Sequence, residues 1–132
     1  MLLKNMTLYI DSRDNKKILL ELQQGKNIVV NYEKNLDGKK QGDVLLVSID
    51  DFLKNQNIDW SQIKKIKVNN VGGSFTGLRL SVIVASSLAY AKKIKLEGVK
   101  DEKIEVEGIE ILKPFYDREP DIGISKKNKI IK

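Results

Sequence analysis

Two stretches of the chain hold residue types that could do chemistry. One is Asp11, the acidic residue near the end of MTLYIDS, Met6 to Ser12. The other is NNVGGSFTGLRLS, Asn69 to Ser81, where Gly72, Gly73 and Gly77 surround Ser74, Phe75 and Thr76 and lead into Leu78 and Arg79. A glycine-rich turn that opens a helix can offer backbone amides to a phosphate, here at Ser74 to Gly77. A carboxylate at a strand end can hold a metal ion. A nucleotide-hydrolysing or peptidase centre would therefore be built from Asp11, Ser74 and Thr76. Both signatures are incomplete. GxGxxG is absent, and no lysine completes a Walker pattern. The competing reading is a tight strand-to-helix turn, with Gly72 and Gly73 supplying backbone freedom and Ser74 or Thr76 capping the helix. We favour the turn, because a lone carboxylate without convergent partners makes no catalytic centre.

Composition narrows the chemistry further. The 132 residues contain no cysteine and no histidine. Disulfides, Cys/His zinc sites, Ser-His-Asp triads and Cys-His dyads are excluded. No metal site and no catalytic residue is assigned. Lys and Arg number 24 against 18 Asp and Glu, a net charge of +6. That would suit RNA or a nucleotide, but dispersed lysines first make a soluble surface. Only KKNKIIK, Lys126 to Lys132, concentrates them, as a basic tail. MLLKNMTLYI is too short and interrupted for a signal peptide, and no apolar run approaches the ~18 residues of a membrane span. A cytoplasmic protein without membrane contact is expected.

The elements that must position these residues follow from periodicity. Strands are predicted at Met6 to Ser12 and at KILLELQQ. The tight hairpin signal Gly25 to Asn27 leads to a third, NIVVNYEK. Ile18, Leu20 and Leu22 alternate, as do Ile28, Val30 and Tyr32, predicting one covered face. A helix over VLLVSIDDFLKNQ follows, with Asp43 as its N-cap, and Ser61 caps a short turn before the strand Lys65 to Val71. The glycine run launches a helix from Thr76 to Lys92, and Lys93 to Val99 is a further strand. The order β-β-β-α-β-α-β is that of ribonuclease-H-like and actin-like lobes: an α/β fold with a mixed five-stranded sheet, three antiparallel strands first, and helices packed on it. Residues 1–99 would form that lobe, and 100–132 a C-terminal extension. In the extension, KIEVEGIEIL is either one bent strand or a hairpin around Gly108.

Both helices are more apolar than one buried stripe requires. Val82 to Ala85 alone covers nearly the whole circumference of the second, since successive residues sit about 100° apart. An excess of this kind predicts a protein–protein face. The expected contacts are Leu46, Ile49, Phe52 and Leu53 on the first helix, and Leu80, Ile83, Val84, Ser87 and Tyr90 on the second.

The glycine run with its flanks, VNNVGGSFTGLRLSVIVASSLAYAKKIKLEGV, resembles the core motif of the bacterial TsaB (YeaZ) family, G-P-G-S-F-T-G-L-R-I-G with an alanine-rich helix. LYIDS is similar to that family's opening I-D-T-S strand, and GDVLLVSIDDFLKNQNIDWSQIKKIKV to its helix and connector. ILKPFYDREPDI is similar to its closing P-x-Y-x-R-x-P segment. The resemblance covers roughly residues 7–99 and 112–122. It implies an actin-like, non-catalytic subunit that contacts the related protein TsaD through two helices, with TsaE as a further partner. That machinery makes N6-threonylcarbamoyladenosine in tRNA, which this chain would meet only through the complex. Some members self-associate through the same helices, so a homodimer is a second expectation. In actin-like ATPases the residue corresponding to Asp11 organises a metal, so Asp11 would be a vestige of a nucleotide site. The chain departs from the pattern in three ways. Asn70 to Gly73 replaces G-P-G, the histidine before the first helix is missing, and the sequence passes from Val99 almost directly to the terminal segment, as in a minimal form without the second lobe. No cofactor of its own is therefore expected, and ATP or ADP only at an interface with a partner.

Overall fold

The computed structural model describes residues 4–73 and 75–116. Strands β1 (Met6–Asp11), β2 (Lys17–Gln24) and β3 (Asn27–Asn35) precede helix α1 (Gln41–Asn55). Then come β4 (Ile63–Val68), α2 (Phe75–Lys92), β5 (Lys95–Gly98) and the pair β6 (Lys103–Val106) and β7 (Ile109–Leu112). The main sheet runs β3-β2-β1-β4-β5. The pairs β1–β2 and β2–β3 are antiparallel, whereas β1–β4 and β4–β5 are parallel. This is the mixed five-stranded α/β sheet that the element order predicts.

Alternation decides which face is covered. Leu8, Ile10, Ile18, Leu20, Leu22, Ile66 and Val68 are almost fully buried under the two helices. Their neighbours Tyr9, Leu19, Glu21, Lys65, Lys67 and Glu97 lie on the other face and stay partly exposed. There Lys65 Nζ meets Glu97 at 2.9 Å and Lys67 Nζ meets it at 3.6 Å. The Lys65 hydrogen bond, with the charges of Lys65 and Lys67, holds the Glu97 carboxyl below its ordinary range despite some opposing desolvation.

Several local expectations are corrected. Ile28 does not share the face of Val30 and Tyr32. The register shifts where Leu22 pairs with Val30 but Gln23 with Ile28, leaving Val29 as the extra residue. That bulge turns Ile28 towards the face of Gln23, and Ile28 is largely exposed. Helix α1 starts at Gln41, so Asp43 sits in its first turn and is not its N-cap. Asp43 still complements the helix dipole. Asp59, not Ser61, caps the short 3-10 turn Trp60–Gln62, in a reciprocal box with Gln62.

The alternating segment after residue 100 is a hairpin. Glu107 and Gly108 form its turn with positive φ of 51° and 82°. It packs on α2 through Leu112, which is completely buried, and its amide meets Ser86 Oγ. Asn70 ties it to the sheet: its amide nitrogen donates to the carbonyls of Lys100 and Lys113, and its oxygen accepts from the Lys100 amide. Among the described residues, no helix is long and apolar enough to cross a membrane.

Candidate functional site

The residues singled out in the sequence fall in two places: the carboxyl ends of β1 and β4, and the outer surface of α1 and α2. At the strand ends, Asp11 is followed by Ser12 and Arg13. Arg13 grips the Asp11 carboxylate with Nε on Oδ1 and Nη2 on Oδ2, both at 2.9 Å, and its backbone amide donates to Oδ1 at 3.1 Å. Arg13 Nη1 also donates to the Val71 carbonyl at 3.2 Å. Nearby, burial pushes the Tyr9 phenol up, and the Asp11 charge adds to the shift.

The glycine run is wired into the chain around it. The Asn69 amide donates to the Ile10 carbonyl, the Val71 amide to Asn69 Oδ1, and the Gly72 amide to the Phe115 carbonyl at 2.7 Å. Gly72 and Gly73 both hold positive φ, 79° and 82°. A Cβ on Gly73 would lie 2.4 Å from Arg13 Cβ, so this position needs glycine for space as well as for backbone conformation. Gly77 sits inside α2, where its carbonyl accepts from Ser12 Oγ. Ser12 also meets Ser81 Oγ through its own hydroxyl and amide. Gln41 Nε2 donates to the carbonyls of Ser12 and Asp14 at 2.8 and 2.9 Å. The turn therefore joins β1, α1 and α2 through buried polar contacts. Ser74 and the Phe75 side chain lie outside the described residues, as do the basic tail and the Arg118 and Pro120 positions of the terminal motif.

Sequence reasoning missed Arg13, Ser12 and Asn70. Arg13 stands in RDNKK, which reads as a plain turn. Its position two residues after Asp11 was the available signal, since a side chain there can fold back on its neighbour.

The helices divide the predicted contact set. Ile49, Phe52 and Leu53 are at most 3% exposed, packed in the core with Tyr32 and the sheet. They cannot meet a partner without unfolding, so the surface set on α1 is corrected. Buried Gln41, Val44, Leu45, Ser48, Ile49, Phe52 and Leu53 make one inward stripe at helical spacing. Outward stand Leu46, 53% exposed, and Val47, 59% exposed and absent from the predicted set. On α2, Ile83 is 52% and Tyr90 62% exposed, with Ser87 in the same outward row. Leu80 and Val84 are half-buried. Part of the excess apolarity of α2 is consumed internally, because the hairpin covers a second side of it. Of the remainder, Tyr90 borders the hairpin side near Gly108 and Glu110, whereas Leu80, Ile83 and Leu88 line two open grooves beside α1. One of about 590 Å³ is lined by Lys39, Lys40, Asp43, Arg79, Leu80 and Ile83. The other, of about 400 Å³, is lined by Leu46, Val47, Trp60, Leu88 and Lys92.

A family model described as TsaD, tRNA N6-adenosine threonylcarbamoyltransferase, matches residues 38–114, more than half of the chain. The chain belongs to this family. The segment matched runs from before α1 to the end of the hairpin, and so contains both helices and the glycine run. In structure, YeaZ from Pseudomonas aeruginosa is similar with a TM-score of 0.63 and 20% identity over 72% of this chain. A second structure, an uncharacterized protein with similarity to peptidase YEAZ from Pseudomonas aeruginosa, matches with the same TM-score, identity and coverage. This chain spans 43% of the length of each. No curated protein sequence matches it. The likeness establishes the ribonuclease-H-like, actin-like fold and agrees with the TsaB (YeaZ) resemblance carried by the glycine run. Membership of the TsaD family supports a role related to tRNA modification.

Proposed function

We propose that this chain is a non-catalytic, TsaB-like subunit. It binds and supports a TsaD-like partner in forming N6-threonylcarbamoyladenosine in tRNA. The observation that carries this reading is the row of half-exposed apolar side chains on adjoining helices: Leu46 and Val47 on α1, Ile83 and Tyr90 on α2. Apolar anchors clustered beside grooves and rimmed by charges such as Lys92, Asp50 and Arg79 are what a protein interface needs. The opposite sheet face is laced with ion pairs, with Ile28 exposed at the start of β3.

A binding role rather than a catalytic one is supported by how the polar groups are spent. The Asp11 carboxylate is held by Arg13, and the amides of Asn69, Val71 and Gly72 are bonded within the chain. Asp11, the carboxylate that could have served chemistry, is engaged within the fold. The same reading places any ATP or ADP at a shared interface, admits a TsaE-like protein as a further member, lets tRNA contact arise through the complex, and puts the protein in the cytoplasm.

The test is affinity capture of a co-expressed TsaD-like protein from the same organism. Leu46→Asp and Ile83→Asp should each abolish capture, while Lys67→Glu on the opposite face should not. Capture that survives both helix substitutions overturns the proposal. A dimer of this chain that dissociates with the same substitutions, without capture of the TsaD-like protein, would replace it with self-association.

A further inference from the structure

In a nucleotide-holding lobe of this architecture, the carboxylate at the end of β1 and the glycine turn after β4 would face a divalent cation and its phosphates. The donor set here does not fit that group. A divalent cation takes about six oxygen ligands, yet among the described residues no group of three Asp, Glu, His or Cys is assembled. Both oxygens of Asp11 accept from Arg13, and the carboxylate is only 11% exposed. A cation arriving there would meet a guanidinium already in place, with like charge.

We infer that Arg13 is a tethered cation: its guanidinium, bound to both Asp11 oxygens and to the Val71 carbonyl, orders the ends of β1 and β4 without a bound ion. Three features separate it from an ordinary surface pair. The contact is a fork on a carboxylate that water barely reaches, the geometry in which arginine pairs are strongest. Its third nitrogen joins β1 to a loop 58 residues away in sequence. The Gly73 backbone lies directly against Arg13, with its missing Cβ 2.4 Å from Arg13 Cβ and 3.0 Å from the Arg13 carbonyl oxygen. Arg13 is thus held from both sides, by the carboxylate it neutralises and the turn it supports. Lysine could supply the charge but not the planar fork, in which three separate nitrogens reach the two carboxylate oxygens and the carbonyl.

The experiment uses the whole chain and the variants Arg13→Gln, Arg13→Lys, Asp11→Asn and the Asp11→Asn/Arg13→Gln double. Amide hydrogen exchange is followed at Val71, Gly72 and Gly73. Thermal unfolding is followed with millimolar magnesium or manganese chloride, alone and with ATP, against sodium chloride of equal ionic strength. In the unsubstituted chain neither metal, with or without ATP, should shift the midpoint beyond the sodium control. Arg13→Gln should speed exchange at the three loop amides about tenfold or more while leaving β2 and β3 protected. Arg13→Lys should recover only part of that protection. The double variant should unfold at a higher temperature than Arg13→Gln alone, because it no longer leaves a carboxylate unpaired. If Arg13→Gln does not fold, Asp11→Asn carries the same exchange readout. Unchanged loop exchange in the folded single variants overturns the inference. So does a metal- or ATP-specific stabilisation of the unsubstituted chain that Asp11→Asn removes. Neither result depends on whether a TsaD-like protein binds α1 and α2.

Discussion

Replacing Gly73 by alanine should be one of the more damaging single-methyl additions in this protein. Two costs add. At φ of +82° a Cβ incurs the left-handed penalty, roughly 1–2 kcal/mol. The new methyl would also stand 2.4 Å from Arg13 Cβ, 3.0 Å from the Arg13 carbonyl oxygen and 3.1 Å from its Cα, so backbone must move. Overpacking of that kind costs about 1–3 kcal/mol. The sum is about 2–5 kcal/mol, a large part of the roughly 5–15 kcal/mol that holds a typical domain together. Two other glycines separate the terms. Gly25 has φ of +63° with nothing within 4 Å of a built Cβ, so Gly25→Ala should cost only the conformational part, about 1–2 kcal/mol. Gly42 lies in the first turn of α1 at ordinary φ with nothing within 4 Å, so Gly42→Ala should be neutral or stabilise by up to about 1 kcal/mol. Urea unfolding of the three variants, read at equal m-values, gives the ranking. Gly73→Ala costing no more than Gly25→Ala would refute the claim that the loop is pressed against Arg13.

Other expectations follow from burial and charge. Phe52→Ala, at a side chain 1% exposed with its ring 5.5 Å from Tyr32, should lose about 3–5 kcal/mol, whereas Leu46→Ala should change denaturant stability by less than about 1 kcal/mol. Asn70→Ala strands the Lys100 amide and two carbonyls, so stability should fall by about 2–4 kcal/mol, with hydrogen exchange rising first in β6 and β7. For Glu97 the folded carboxyl titrates below its unfolded value, so its contribution is present above the ordinary glutamate pKa of about 4.3 and is lost as pH falls through the folded value. Glu97→Gln should accordingly flatten the acid limb of a stability–pH curve below about pH 4.3.

Much of this architecture was legible because alternation and helical spacing report burial directly. Ile18, Leu20 and Leu22 read as inward and are inward; the run of three strands, helix, strand, helix and strand gives the sheet order. The bulge at Val29 was not legible, since one extra residue leaves no mark in composition and still reverses Ile28. Apolarity showed that α1 and α2 exceed a single stripe, but not which residues point inward. Leu46 and Val47 differ from Ile49 and Phe52 only in rotation, and that is fixed by packing on Tyr32 and the sheet. Arg13 was hidden for another reason: a salt bridge between neighbours in a turn leaves only faint traces in the sequence, its spacing from Asp11 and the glycine that must yield to it 60 residues later.

The surface proposed to meet a TsaD-like protein is the outer side of α1 and α2. Calorimetric titration of that purified protein with this chain tests it most directly. One binding site per chain is predicted, with Ile83→Asp weakening affinity about 30-fold or more, the counterpart of a hot-spot loss of about 2 kcal/mol. Lys67→Glu should leave it unchanged. Binding that is insensitive to both Leu46→Asp and Ile83→Asp, or lost with Lys67→Glu instead, would contradict the account.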